Sequence, residues 1–201
     1  IRGFQWLYSN TNKGLGSCLA DDMGLGKTVQ SICLILKIIE EKELRHPALV
    51  ICPTTLIGNW LKECQKFAPS LNILTYHGTK RQLTTTSADL VITTYGLVRR
   101  ESGKFQKRKW GLVIIDEAQN IKNADSKQSR AVKALKSGAS IALSGTPVEN
   151  RLSELWSIFD YLNPAYLGSQ ANFIRRFAIP IEKYRDHKKI DLLKKTTAPF
   201  M

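Results

Sequence analysis

The chain has 201 residues, enough to bury a substantial core and suited to one α/β domain. Its composition is that of an ordinary globular protein; no apolar run is long enough to span a bilayer and no signal-peptide pattern opens it, so no membrane partner is expected. Lys and Arg number 30 against 17 Asp and Glu, and the charge of +13 points to a polyanion partner, nucleic acid first, as against a merely solubilising surface.

The first strand is predicted over Ser17–Ala20 and the first helix over Lys27–Glu43. Between them runs Asp21-Asp22-Met23-Gly24-Leu25-Gly26-Lys27-Thr28. Strand, glycine-containing loop, helix is the setting of a phosphate-binding loop: glycines let backbone N–H groups turn to a phosphate, and the helix N-terminus adds its dipole. Asp22, Met23, Gly24, Leu25, Gly26, Lys27 and Thr28 are the candidate ATP-binding residues, with Lys27 reaching the β/γ-phosphates and Thr28 on Mg²⁺. Asp21 stands where the general pattern has a glycine, six positions before the lysine.

A strand over Ala48–Cys52 leads through Pro53 into a helix over Ile57–Phe67. Thr54, Thr55 and Asn59 offer hydroxyls and an amide to a nucleic-acid phosphate there; a simple helix cap is the plainer alternative, and Trp60 is expected to pack on the core. Strands follow over Asn72–Tyr76 and Leu90–Thr94. Thr93, Thr94 and Tyr95 are candidate phosphate contacts, against an ordinary polar strand end. The unbroken apolar run Leu112–Ile115 reads as a strand buried on both faces, and the Asp116-Glu117 pair ends it where parallel sheets bind ligands. Asp116 is placed to hold Mg²⁺ and Glu117 to deprotonate an attacking water; a solvated acidic turn is the alternative until Lys27-Thr28 upstream is counted with them.

A helix over Lys127–Leu135 has Ser126 as its cap, a strand covers Ser140–Leu143, and Ser144-Gly145-Thr146 ends it. Ser144 and Thr146 would bond the acidic pair and sense the γ-phosphate, or only cap a turn. A helix over Ser153–Tyr161 has Pro164 just past it. Residues 164–201 are basic, lack strand signals and are expected as helical extensions on the core. Cys18, Cys33, Cys52 and Cys64 form no CxxC pair and no metal pattern with histidine. The first three lie in apolar segments and are expected as buried free thiols, which fits a reducing intracellular compartment. Alternating strands and helices predict an α/β three-layer fold around a mostly parallel sheet.

The strings DDMGLGKT, ICPTTLIGNW, ADLVITTYG, VIIDEAQNIKN and ALSGTPVENRLSELWSIFDYLNP, in this order, resemble the Swi/Snf-type DNA-dependent ATPases of helicase superfamily two. The resemblance covers nearly the whole chain, and in that family Asp21 is usual. Gln119, where many relatives have His, looks like the subgroup common in bacteria and archaea. The resemblance implies a RecA-like ATP-binding lobe over 1–163 and an extension over 164–201 leading toward a second RecA-like lobe. It implies ATP and Mg²⁺ as cofactors, catalysis by Glu117, Asp116 and Lys27, and coupling by Gln119, Ser144, Gly145 and Thr146. It further implies double-stranded DNA held by its backbone at Thr54, Thr55, Asn59, Thr93 and Thr94. The family's adenine-contacting Gln would precede residue 1, so Gln5 is not given that role, and its arginine fingers belong to the second lobe. Such a motor would lie at the nucleoid in the cytoplasm of a prokaryote, or in the nucleus of a eukaryote. An RNA helicase of the DEAD-box kind is disfavoured by Gln119 and by Ser-Gly-Thr-Pro; an ATP-dependent interaction module without turnover is the other alternative.

Overall fold

A computed structural model describes residues 2–21, 25–41, 44–79, 81–83, 87–145 and 151–201. In chain order the elements are α1 (Arg2–Asn12), β1 (Ser17–Leu19), α2 (Lys27–Glu40), β2 (Ala48–Cys52), α3 (Ile57–Phe67), β3 (Ile73–Thr75) and β4 (Leu90–Thr94). There follow α4 (Tyr95–Arg100), α5 (Ser102–Gln106), β5 (Lys109–Asp116), α6 (Lys127–Lys133), β6 (Lys136–Leu143), α7 (Leu152–Leu162), α8 (Gln170–Phe173), α9 (Ile179–Tyr184) and α10 (His187–Thr197).

The six strands form one sheet in the order β1-β6-β5-β2-β4-β3, and all their pairings are parallel. Alternation along the strands sorts two cores. Ala48, Val50 and Cys52 of β2 face α1, α2 and α3 together with Ile92, Ile114 and Ile141. Leu49 and Ile51 face the other way, with Val91, Val113 and Ile115, against α4 to α7. Both faces are thus covered, which is why these strands read as continuous apolar runs. Each fully buried Ile, Leu or Val contributes about 1.5–3 kcal/mol over an exposed one. Helix α3 is pinned by Ile57, Trp60 and Cys64, one stripe at helical spacing.

The chain leaves β2 for α3 on one face and leaves β5 for α6 on the other, and β2 pairs with β5. Neighbouring strands whose connections diverge open a crevice at their C-terminal ends, where open α/β sheets bind ligands. The end of α7 is tied to the start of β1. Gly16 N donates to Asn163 Oδ1 (2.9 Å) and Asn163 Nδ2 donates to Gly16 O (3.0 Å). A Cβ on Gly16 would lie 2.3 Å from the Leu162 carbonyl oxygen, so only glycine fits.

Residues 164–201 are helical, as expected, and share a core with the lobe. Leu155, Trp156 and Phe159 of α7 pack with Phe173, Phe177, Leu193 and Phe200. Trp6 and Asn10 of α1 both donate to the Pro199 carbonyl, at 3.1 and 3.0 Å. Three differences from the sequence reading stand out. Helices α4 and α5 were not anticipated, being too short to show a period. Strands β5 and β6 begin earlier, at Lys109 and Lys136, because these polar ends pair with each other. Cys33 is exposed on α2, whereas Cys18 and Cys52 are buried as expected and Cys64 joins them. Burial pushes the Cys18 and Cys52 thiols up to about 12 and Cys64 to about 11, which leaves these three inert.

Candidate functional site

The register sets the site. Leu19 of β1 pairs with Leu143 of β6, and Leu143 pairs with Asp116 of β5. The end of β1, Ser144 and the acidic pair therefore lie side by side at the same edge of the sheet. Two strand spacings, about 10 Å, separate β1 from β5.

Lys27 opens α2, and its Nζ donates to the Asp21 carbonyl at 2.6 Å. Gly26 precedes the helix at φ 77°, a left-handed backbone that suits glycine and aims the first N–H groups of α2 outward. Thr28 lies half-buried in the first turn, and Leu25 is exposed. Asp22, Met23 and Gly24 lie outside the described residues, as does Thr146. A cleft of about 1320 Å³ flanks the loop, lined by Gly3 and Trp6 of α1, Asp21, Leu25 and Gly26, and Gln30 of α2.

Asp116 is largely buried. Its Oδ1 accepts from the Glu117 backbone N–H and its Oδ2 from the Trp60 indole N–H, each at 2.9 Å. Burial holds its pKa above the ordinary aspartate value; the two hydrogen bonds, Trp60 first, oppose that shift. Each carboxylate oxygen keeps a lone pair, and Thr28 adds a hydroxyl, so the donors are hard oxygens of the kind Mg²⁺ takes. Among the described residues no cluster of three or more His, Cys, Asp or Glu side chains could hold a metal. A cation held here would draw on phosphate oxygens and water for the rest of its shell, as Mg²⁺ does.

Glu117 follows at φ 54°, ψ 63°, a left-handed conformation that a non-glycine residue holds only under constraint. Its Oε2 accepts from Gln119 Nε2 at 2.7 Å, while Gln119 Oε1 is buried without a partner among the described residues. Ser144 is buried, and its N–H donates to the Leu19 carbonyl at 3.2 Å, locking β6 to β1; Gly145 is half-buried beside it.

The candidate nucleic-acid residues divide. Thr54 and Thr55 are exposed in a single 3-10 turn, and Asn59 is exposed on α3. Thr54 lines a groove of about 560 Å³ with Pro53, His77, Arg81, Thr94 and Arg100. Thr93 has to be withdrawn as a phosphate contact: it is fully buried and its hydroxyl donates to the Tyr76 carbonyl at 3.0 Å. Thr94 is buried, and its hydroxyl oxygen accepts from Leu97 N at 3.3 Å as the cap of α4, so it too has to be withdrawn as a phosphate contact: capping is the role its oxygen performs. Arg81 is engaged with Glu101, which also accepts from Tyr76 and Lys104. These partners, Lys104 first, hold the Glu101 carboxyl down at about 2. Arg99 and Arg100 stand exposed at the end of α4.

A model of the SNF2-related domain matches residues 1–201. The chain belongs to the SNF2-related domain family. It is 47% identical, over 99% of its length, to YwqA of Bacillus subtilis, assigned as an ATP-dependent helicase/translocase, and covers 22% of that protein. It is 36% identical to the nuclear protein STH1/NPS1 of Saccharomyces cerevisiae over 98% of its length, covering 15% of it. Among solved structures, the SWI2/SNF2 ATPase core of Sulfolobus solfataricus in complex with double-stranded DNA superposes with a TM-score of 0.93, at 44% identity, over 99% of this chain and 42% of that one. This agreement fixes the fold as that of the matching part of an SNF2 ATPase core, in keeping with the RecA-like reading of the sequence. The chain thus spans about a fifth or less of these two curated relatives.

Two residues beside Asp116 differ from the sequence reading: Trp60 packs on the core as expected but also bonds Asp116, and Tyr95 has to be withdrawn as a phosphate contact, being buried with its hydroxyl engaged. Tyr95 OH donates to the Asp116 carbonyl at 2.7 Å. A buried indole or phenol needs a partner, so a polar role was foreseeable for each. The partner was not, since Asp116 lies 56 and 21 positions further along the chain.

Proposed function

We propose that the chain is the ATP-binding and hydrolysing lobe of a double-stranded-DNA translocase or remodeller. The observation that carries this reading is the juxtaposition, on one sheet edge, of Lys27 and the α2 N-terminus with the buried Asp116 and the constrained Glu117. Lys27 and the first N–H groups of α2 would hold the phosphates, and the cleft beside Trp6 and Gln30 would take the nucleoside. Thr28 and Asp116 would hold Mg²⁺. There the metal would neutralise the charge that develops on phosphoryl transfer. Glu117 takes the proton of the attacking water, with Gln119 fixing its carboxylate. Gln119, whose Oε1 has no partner among the described residues, and Ser144-Gly145 would couple nucleotide state to closure by a second RecA-like lobe of the same protein. Thr54, Thr55 and Asn59 would grip a DNA strand by its phosphates, without reading bases. That the SNF2 core of Sulfolobus solfataricus was solved with duplex DNA supports this partner over RNA. The place of action would be the nucleoid or the nucleus.

The test is phosphate release with no nucleic acid, with duplex DNA and with single-stranded RNA, using Lys27→Ala as the blank. Stimulation by duplex in the full-length protein is expected, with little turnover by the 201 residues alone. Stimulation by RNA only would overturn the DNA reading in favour of an RNA helicase. Absence of Lys27-dependent turnover from the full-length protein under every condition would favour a nucleotide-binding interaction module.

A further inference from the structure

We infer that Trp60 and Tyr95 are positioning residues that link the nucleic-acid groove to the Asp116-Glu117 turn. The inference rests on the functional reading above and names the physical connection within it. Two segments contribute to the groove: Pro53 and Thr54 after β2, and Thr94 to Leu97 with Arg100 at the end of β4 and in α4. Each segment sends one aromatic donor to the same residue. From α3, which continues the Thr54–Leu56 turn, Trp60 Nε1 donates to Asp116 Oδ2 at 2.9 Å. From the first position of α4, Tyr95 OH donates to the Asp116 carbonyl at 2.7 Å and lies 3.5 Å from the Glu117 carbonyl.

The geometry gives the two bonds different tasks. Asp116 Oδ1 is held by the next residue's own N–H, so that bond moves with the turn. Oδ2 is held by α3, so the direction of the carboxylate follows α3. Tyr95 holds the carbonyl just before Glu117, whose left-handed backbone needs outside constraint. Both aromatic side chains are buried, so water does not replace a bond that is lost. Tyr95 also lines the groove, and Thr54 lies less than two helical turns along the chain from Trp60. A phosphate seated in the groove therefore presses on the two elements that aim the metal-holding carboxylate and the base. Were Trp60 only a core residue with a satisfied N–H, its loss would change stability and nothing else.

The test uses the full-length protein. Trp60→Phe keeps an aromatic ring and removes the N–H; Tyr95→Phe removes one hydroxyl. Melting temperature, duplex affinity by fluorescence anisotropy, and kcat and KM for ATP with and without saturating duplex are measured for each. The stimulation factor is expected to fall about tenfold or more, in kcat rather than KM, while duplex Kd stays within about twofold. Unchanged stimulation in both folded variants overturns the inference, and so does a loss of stimulation that tracks lost duplex affinity. Should Trp60→Phe fail to fold, Tyr95→Phe decides on the same criteria. A readout without turnover is the ¹⁹F spectrum of 5-fluorotryptophan-labelled protein: the line missing from Trp60→Phe should shift when duplex is added, and a line that stays put counts against the link. No stimulation in the unsubstituted protein would instead overturn the functional reading itself.

Discussion

Glu117→Gln separates chemistry from structure more cleanly than any other change at this site. Gln has the same length and keeps an oxygen to accept from Gln119 Nε2, now 2.7 Å from Glu117 Oε2. The backbone at φ 54° carries a side chain of the same shape, so its strain is unchanged. Glu117 is half-buried, and no packing is lost. Stability should therefore move by less than about 0.5 kcal/mol, or roughly 1–2 °C of melting temperature for a domain of this size. What is lost is the proton acceptor. General-base catalysis contributes about 10²- to 10⁴-fold, which is about 2.7–5.4 kcal/mol of barrier at 1.36 kcal/mol per tenfold. The assay is duplex-stimulated phosphate release by the full-length protein, with nucleotide binding measured in parallel by equilibrium titration. ATP binding should persist while kcat falls by at least about a hundredfold. Turnover within tenfold of the unsubstituted protein, with binding intact, would remove Glu117 as the base.

Three further outcomes follow from named contacts. Gly16→Ala should lower stability by about 1–3 kcal/mol, because the new Cβ meets the Leu162 carbonyl oxygen at 2.3 Å and one backbone must yield; an unchanged melting temperature would refute the close packing of α7 on β1. The carboxyl of Glu101 is held down at about 2, so its contribution to stability is complete above its unfolded pKa near 4.5 and is lost as pH falls toward 2. Glu101→Gln should flatten that acid limb in pH-dependent unfolding, and an identical limb in both proteins would count against it. Duplex affinity should fall about tenfold between 50 and 200 mM salt for every two phosphates neutralised, and a flat dependence in anisotropy titrations would exclude backbone contacts.

Much of the fold was legible because parallel strands buried on both faces write themselves as apolar runs. Leu112–Ile115 announced the centre of β5, and Ala48–Cys52 gave β2 with its ends as observed. Ser126 declared itself as a cap and accepts from Ser129 N as expected. Elements held by contacts rather than by pattern escaped: α4 is a turn and a half long, and the Lys109 end of β5 is polar. Of the site, the residue types were legible and the accessibility was not. Thr93 and Thr94 looked alike in sequence to Thr54 and Thr55, yet strand pairing buries the first two and a turn exposes the others.

The sequence by itself determined the glycine-containing segment before α2, the acidic pair and their attachment to strand ends, because a chemical group and its local backbone travel together along the chain. Only the tertiary structure decided that β1, β6 and β5 lie adjacent, since strand order depends on which helices cover which face. It alone brought Trp60 and Tyr95 to Asp116, across 56 and 21 residues. A hydrogen bond is fixed by position in space, and side chains this far apart in sequence acquire a common position only when the two helical layers close on the sheet.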